Sequence, residues 1–438
     1  MPNLLGQSPA AFADSLLERG GRAAVVRRTA TGELRVSHPE LAELAEFLSH
    51  DERDFHAHQG VFFEVGRETG ALHSATLHWT HRGQGAGGVR HWPYSTLEGL
   101  VRDGLRLSKG MTRKNALAGL WWGGGKGVIA QSAGERHLDP GYRRTLYAEY
   151  GDFVSSLAGA YVTAEDAGTT PPDMASVFTR TRHTTCIPPA FGGSGNPSEP
   201  TARGVVCAIE AALEFRGLGT LEGKTIAMEG AGNVAGFMLR ELLARGVRAI
   251  VASEIRSQRI RELAEELDDP RLRIVASTPE DTSIFDTDCD IFIPNALGGS
   301  LNEATIPRLR AKIVCGAANN QLLDDRRDDR ALHQRGITYV PDFLANRMGI
   351  VSCANEQYGS VPNDPAISRH FSRDWPSSIR VMTRRVLERS RDEGITTATA
   401  ANLIADELAK EAHPLWPGRT RDIVEGLWQS RWHERRQA

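Results

Sequence analysis

Lysine is a costly residue to bury, so a lysine set among neighbours without side chains needs a physical reason. Lys126 stands inside Gly123-Gly124-Gly125-Lys126-Gly127, and Lys114 lies upstream in Met111-Thr112-Arg113-Lys114-Asn115-Ala116-Leu117-Ala118-Gly119-Leu120. A solvated lysine gains nothing from four flanking glycines. Burial and a second cation nearby both depress an ammonium pKa, which is how lysine becomes a base near neutral pH. A carboxylate follows at Asp166, in Tyr161-Val162-Thr163-Ala164-Glu165-Asp166-Ala167-Gly168-Thr169-Thr170. Asp166 also reads as a helix-capping acid, and Glu165 beside it is an alternative carboxylate. A cation to hold an anion, a tunable amine and a carboxylate form a set suited to proton transfers at an amine-bearing carbon.

A second constellation begins at the apolar run Thr225 to Met228, which leads into Glu229-Gly230-Ala231-Gly232-Asn233-Val234-Ala235-Gly236. Gly230 permits a tight turn and Gly232 lets the backbone approach a pyrophosphate. The amides of the helix opening at Asn233 and Val234 would face that anion. The third small position is Ala235 or Gly236, so the fingerprint is slightly irregular. Glu254 follows the next apolar run, Ala249 to Ala252, where an acid accepts from ribose hydroxyls and repels a 2′-phosphate. NAD is therefore favoured over NADP, with Arg256 and Arg259 close enough to weigh against that choice. A ligand-free structural turn is the alternative reading.

These residues need elements to hold them. A chain of 438 residues suggests two folding units. Val61 to Glu64 and Leu72 to Trp79 read as strands, and a helix is expected from a capping box at Ser95 and Glu98 to Gly110. From about residue 200 short apolar runs alternate with helical stretches, at Thr225, Ala249, Asp290, Lys312 and Ile337, which is the grammar of a doubly wound parallel sheet. Helical spacing returns after about residue 355, and Gly192 to Pro200 reads as a linker. Net charge is 52 − 55 = −3, which offers no basic field for nucleic acid or an anionic membrane. No apolar run has the length of a membrane span and no secretory pattern opens the chain, so a cytoplasmic location is expected. Five cysteines without a C-x-x-C pair read as free, buried thiols rather than a disulfide framework or a zinc site.

The Met111 to Gly127 segment resembles the active-site segment of the glutamate/leucine/phenylalanine/valine dehydrogenases, closest in pattern to the leucine and phenylalanine enzymes. The resemblance continues, in order, through Gly87-Gly88-Val89-Arg90, Tyr161 to Thr170, Phe191 to Pro197, the Gly230 turn, Pro294-Asn295-Ala296-Leu297-Gly298, Gly316 to Gln321 and Pro341-Asp342-Phe343. It implies a substrate-binding and oligomerisation domain over residues 1–195, a Rossmann NAD-binding domain over 200–350 and C-terminal helices over 355–438 that pack back on the first. The reaction would take place in the cleft between the two domains. By this resemblance Lys114 holds the substrate α-carboxylate, with Ala86, Gly87, Gly88 and Ala164 beside the substrate. Lys126 is the base that activates water, and Asp166 shuttles protons to and from the amine. The implied cofactor set is Gly230, Gly232, Asn233, Val234, Glu254, Asn295, Ala318, Asn320, Asn346 and Thr201, with no metal. A homo-oligomer is implied as well.

Five positions, in three places, depart from the family pattern. Ala86 stands where glutamate dehydrogenases carry lysine and leucine enzymes carry leucine, which removes the partner for an acidic side chain and leaves room for a bulky one. Trp121 and Trp122 replace smaller residues and either wall a pocket or pack. Arg347-Met348 replaces Ala-Gly, putting bulk and charge where small residues approach the ligands. The expectation is NAD-dependent oxidative deamination of an apolar or aromatic L-amino acid. The rivals are a dehydrogenase of glutamate or an unusual amino acid, and a catalytically silent ligand-sensing paralogue.

Overall fold

The strand Gly123–Ala130 is buried along nearly its whole length, because structure covers both of its faces. A Cβ at Gly124 would collide with the Ser108 carbonyl on one side, and one at Gly127 with the Tyr150 hydroxyl on the other. Glycine is what lets a helix and a tyrosine layer approach the same strand this closely. The computed structural model that shows this describes residues 3–28, 31–359, 361 and 363–434. It divides into two units, one of Met1–Gly195, Cys353–Ser360 and Asp406–Ala438, the other of Asn196–Ser352 and Val361–Ala405.

In the first unit the strands are β1 (Arg22–Arg27), β2 (Leu34–Val36), β3 (Gly60–Val65), β4 (Leu72–Leu77), β5 (Gly85–Ala86), β6 (Val89–Trp92), β7 (Gly123–Ala130) and β8 (Tyr161–Val162). Their order is β2-β1-β3-β4-β7-β5-β8, with β6 also pairing β7. β7 is the hub, antiparallel to β4 and parallel to β5 and β6. The helix Leu97–Leu117 packs on it and contributes Leu97, Leu100, Val101 and Leu105 to a core shared with Phe12, Leu44, Leu48 and Phe63. Its cap is Thr96, whose Oγ1 accepts from Gly99 N, and not Ser95. It also runs through Gly110 to end at Leu117, with Gly119 at φ +69° behind it. A mid-helix glycine costs only about 1 kcal/mol, which burial of the helix face offsets. At the far end of the chain Trp432 returns to this unit, its ring edge-on to Phe62, under the Arg22 guanidinium, with Nε1 donating to Ser156 Oγ at 3.0 Å.

The second unit carries β9 (Thr225–Glu229), β10 (Ala249–Glu254), β11 (Leu272–Ala276), β12 (Ile291–Pro294), β13 (Ile313–Val314) and β14 (Thr338–Tyr339). They form one parallel sheet in the order β11-β10-β9-β12-β13-β14, the doubly wound arrangement of a dinucleotide-binding fold. Residues after 355 divide between the units rather than returning as one block. The helix Ile379–Glu393 is tied into the second unit by Arg380 bonding Glu210 and Glu214, whereas Arg419–Gln429 belongs to the first, where Glu425 pairs with Arg35. The five cysteines are free and buried. Among the described residues no helix is long and apolar enough to cross a membrane, and no cluster of His, Cys, Asp or Glu is arranged to hold a metal.

Two fully buried histidines tie the stability of the first unit to pH. His58 accepts from His56 N at Nδ1 and donates from Nε2 to the Leu105 carbonyl, so it is held neutral. His73 lies edge-on to Tyr150. Burial depresses both imidazoles to about 3. An unfolded histidine titrates near 6.5, so between the two values the unfolded chain binds more protons. The contribution is full above about pH 6.5 and is lost as the pH falls toward 3, with a slope of up to about 1.4 kcal/mol per pH unit for each histidine. The urea midpoint should therefore fall steadily from pH 7 to pH 5, and the double variant His58→Gln, His73→Phe should flatten that dependence. An equally steep dependence in the variant would contradict the assignment.

Candidate active site

Alternation along β7 places Lys126 on the same face as Gly124, toward the Leu97–Leu117 helix. Its side chain is 5% exposed, and Nζ donates to Asp166 Oδ2 at 2.6 Å. Asp166 is delivered by the turn after β8. Val89 N donates to the Ala164 carbonyl and His91 N to that of Ala167, so this turn runs beside β6. The Thr169 hydroxyl closes it, accepting from Asp166 N at 2.8 Å and donating to Asp166 O at 2.7 Å. A Cβ on Gly88 would sit 2.8 Å from Asp166 Cβ, which shows how closely the Gly87-Gly88 backbone passes the carboxylate. Glu165 is exposed, and Asp166 is the acid that meets Lys126.

A second cation reaches the same oxygen. Arg90 Nε donates to Asp166 Oδ2 at 3.2 Å, while its Nη1 donates to Asp103 Oδ2 at 3.0 Å. Asp103 also accepts from Tyr94 Oη at 2.7 Å and Arg106 Nη2 at 2.7 Å. Burial pushes the Asp166 carboxyl up, but Lys126 and Arg90 outweigh it and hold the group at about 2, ionised throughout the ordinary pH range. The group in contact with Lys126 is thus a carboxylate, and the second cation, Arg90, meets the same oxygen.

Lys114 occupies the last turn of the Leu97–Leu117 helix and is half-buried. Its neighbour Asn115 is fully buried and donates from Nδ2 to the Gly123 carbonyl at 2.7 Å and the Ala86 carbonyl at 3.4 Å, which pins the helix end to β5 and β7. Ala86 and Ala164 are buried on neighbouring chain segments, and Gly87 donates from N to Val162 O at 3.1 Å and accepts at O from Tyr161 Oη at 2.6 Å. Lys126, Asp166, Gly87, Gly88, Ala86, Ala164 and the Lys114 turn are therefore gathered by one set of elements within the first unit.

The remaining predicted residues lie in the second unit, around the point where its strand order reverses. Gly230 follows β9 at φ +86°, where a side chain would also strike Ala296. Gly232 caps the helix Asn233–Ala244, so its first amides, those of Asn233 and Val234 among them, receive no bond from a cap side chain. Asn295 N donates to Glu229 O at 2.8 Å, so the end of β12 borders the glycine turn. Asn295 Oδ1 accepts from Ala317 N at 2.7 Å, and Asn346 Nδ2 donates to Ala317 O at 3.0 Å and Asn319 Oδ1 at 2.8 Å. Ala318 N donates to Pro294 O, and Asn320, at φ +52°, donates from N to Asp342 Oδ2. Thr201 is buried in the helix Ser198–Phe215, opposite Gly349. Glu254 ends β10 with its Oε1 accepting from Ile255 N and Arg256 N and from Arg256 Nε at 3.0 Å, while Arg259 Nε donates to the Ala231 carbonyl within the turn.

Arg347 and Met348 do not present bulk to ligands. Both are fully buried in the second unit, where Arg347 donates to the Ser377 carbonyl and Met348 packs so that a Cβ on Gly204 would come within 2.9 Å of its Cγ. Trp122 is buried, and the exposed Trp121 lies under the Arg82 guanidinium beside His413. Arg90, Asp103 and Tyr94 carried no assigned role in the sequence. Arg90 stands two residues beyond Gly88 on the same strand face, a usable signal, whereas nothing local marks Asp103 as its partner.

Comparison with known proteins agrees with this arrangement. Residues 63–183 match the Glu/Leu/Phe/Val dehydrogenase dimerisation domain, and residues 192–414 match the Glutamate/Leucine/Phenylalanine/Valine dehydrogenase domain. The chain is 39% identical to leucine dehydrogenase of Bacillus cereus over 351 residues, covering 80% of this chain and 90% of that one. It is 37% identical to valine dehydrogenase of Streptomyces coelicolor over 365 residues, covering 82% and 95%. The crystal structure of L-tryptophan dehydrogenase from Nostoc punctiforme superposes with a TM-score of 0.66 at 31% identity, covering 80% and 96%. A buried lysine–carboxylate pair on one unit, a glycine turn on a doubly wound sheet in the other, and relatives matched along four-fifths of the chain have one common explanation: the protein belongs to the glutamate/leucine/phenylalanine/valine dehydrogenase family, the amino-acid dehydrogenases that act on a CH–NH2 group.

Proposed function

We propose that this enzyme catalyses the reversible oxidative deamination of an apolar or aromatic L-amino acid to its 2-oxo acid and ammonia, with NAD. The observation that carries the reading is the 2.6 Å contact between buried Lys126 and Asp166. An ionised carboxylate can relay a proton from a substrate ammonium, and Lys126, in its neutral form once its own proton has been passed on, can accept a proton from the water that attacks the imine carbon. Lys114, at the helix end that Asn115 ties to Ala86, supplies a cation for the α-carboxylate, and the Gly87-Gly88 backbone passes close beside Asp166.

The glycine turn fits a dinucleotide. Gly230 has the left-handed backbone the turn requires, a Cβ at Gly232 would lie 3.6 Å from Arg256 Nη2, and the cap residue offers the following amides no side-chain acceptor. A bound nicotinamide dinucleotide supplies the hydride acceptor. Gly230, Gly232, Asn233 and Val234 would take its pyrophosphate, with Asn295, Ala318, Asn320, Asn346 and Thr201 bordering it. Glu254, 5% exposed at the end of β10, favours NAD because a 2′-phosphate would meet a carboxylate that already holds Arg256. Ala86 offers no charge to an acidic side chain, and the relatives named for leucine, valine and tryptophan support an apolar or aromatic substrate. Burial of Arg347 and Met348 removes the ground for a silent paralogue. The matched dimerisation domain supports a homo-oligomer.

Two experiments test this. Lys126→Ala should lower kcat by about a thousandfold with an unchanged circular dichroism spectrum, whereas Lys114→Ala should mainly raise KM for the amino acid, by tenfold or more as an order of magnitude. Full activity in Lys126→Ala would remove that lysine from the mechanism. In a panel of L-amino acids with NAD, followed by absorbance of the reduced nicotinamide, leucine, valine, phenylalanine or tryptophan should exceed glutamate in kcat/KM. Preference for glutamate would overturn the argument from Ala86.

A further inference from the structure

Cys186 and Cys353 lie 167 residues apart in sequence, yet their Sγ atoms are 2.8 Å apart, closer than sulfur atoms in plain van der Waals contact. Both belong to the first unit, and Cys353 is the residue at which the chain re-enters it after Asn196–Ser352. Glu356, one helical turn beyond Cys353, holds the two segments in register. Its carboxylate accepts from Cys186 N at 3.1 Å, Ile187 N at 3.3 Å and Ser194 N at 2.7 Å. We propose that Cys186 and Cys353 are a reversible thiol–disulfide modification site through which a peroxide lowers turnover.

The sulfurs need to close by only about 0.8 Å to reach bonding distance. The two thiols are buried, but Thr184, Ile187 and Glu356, within three residues of them, line a cavity of 490 Å³ open to solvent, which leaves a small oxidant a short path. The chemistry balances with a peroxide as oxidant. The Cys186 thiolate attacks one peroxide oxygen, hydroxide leaves and a sulfenic acid forms. The Cys353 sulfur then displaces that oxygen as water, giving the disulfide, with two thiols oxidised and one peroxide reduced to two waters. Cys353 suits the second role by geometry, since its Sγ already lies 2.8 Å from that of Cys186 and its proton can leave with the displaced oxygen. Cys289 is pushed up to about 12 by burial and Cys315 higher still, which keeps those thiols inert.

The consequence for turnover follows from what the pair is joined to. Thr163 N donates to His183 O and Thr185 N donates to Thr163 O, so the segment carrying Cys186 is laddered onto the strand that continues into Ala164 and Asp166. Cys353 lies in the helix Met348–Glu356, which begins two residues after Asn346. A bond between the sulfurs pins both segments at once and closes a covalent ring around β9 to β14.

The test treats the purified full-length enzyme with hydrogen peroxide, followed by denaturing alkylation, peptide mapping and assay. Free thiols should fall from five to three per chain, with a peptide joining Cys186 to Cys353. Turnover should fall at least threefold and return with dithiothreitol. Cys353→Ser should show neither the crosslink nor the reversible loss, and mapping of the unmodified sequence decides the matter should that variant fold poorly. Five thiols surviving peroxide that oxidises free glutathione would overturn the proposal, as would a crosslinked enzyme with unchanged turnover. Mapping the crosslink requires no catalytic assignment, so its outcome is independent of the roles given to Lys126 and Asp166.

Discussion

An ammonium and a carboxylate withdrawn from water must stay together, because leaving either alone strands a charge at a cost of several kcal/mol. The Lys126–Asp166 contact is such a pair, and much of the first unit is arranged around it. β7 carries the lysine at the middle of a sheet, and the turn after β8 carries the acid, locked by Thr169. Arg90 shares the acid's oxygen but is drawn toward Asp103, which Tyr94 and Arg106 hold in turn. The acid therefore sits between two cations, one of which has a competing partner. The two neighbours together keep the carboxylate ionised.

The glycines of β7 serve that pair indirectly. They permit the Leu97–Leu117 helix to lie close enough for Asn115 to reach the carbonyls of Gly123 and Ala86, and that same bond fixes where Lys114 stands. One close packing thus positions two lysines twelve residues apart in sequence. In the second unit the equivalent economy is the bonding of Asn295, Ala317 and Asn346, which joins the ends of β12 and β13 to the turn before the Met348–Glu356 helix.

Several of these features were legible in the sequence and others were not, for identifiable reasons. β9, β10 and β12 were readable because apolar runs end in turn residues, and the glycine fingerprint marks where a backbone must bend. β11 went unread because an edge strand with one wet face, Leu272–Ala276, carries a weak apolar signal. β7 gives no periodicity at all, since glycine has no side chain to alternate, and Lys126 drew attention by residue type instead. The shift of the cap from Ser95 to Thr96 lies within the tolerance of any reading that lacks backbone angles. Arg347 misled because charge usually signals solvent, while its partner carbonyl at Ser377 is thirty residues away and unmarked. The Arg90–Asp103 pair joins a strand to a helix, a meeting that only the packed fold reveals.

Trp432 has a consequence for how this chain comes into being. Its ring closes against Phe62 and Arg22, so the sheet that forms first during synthesis lacks part of its covering until residue 432 has been added. All six strands of the second unit's sheet, by contrast, have been made once residue 339 has emerged from the ribosome. The unit begun first thus receives this covering only after the other unit's strands have been made, and a nascent chain must hold an incomplete apolar surface until then.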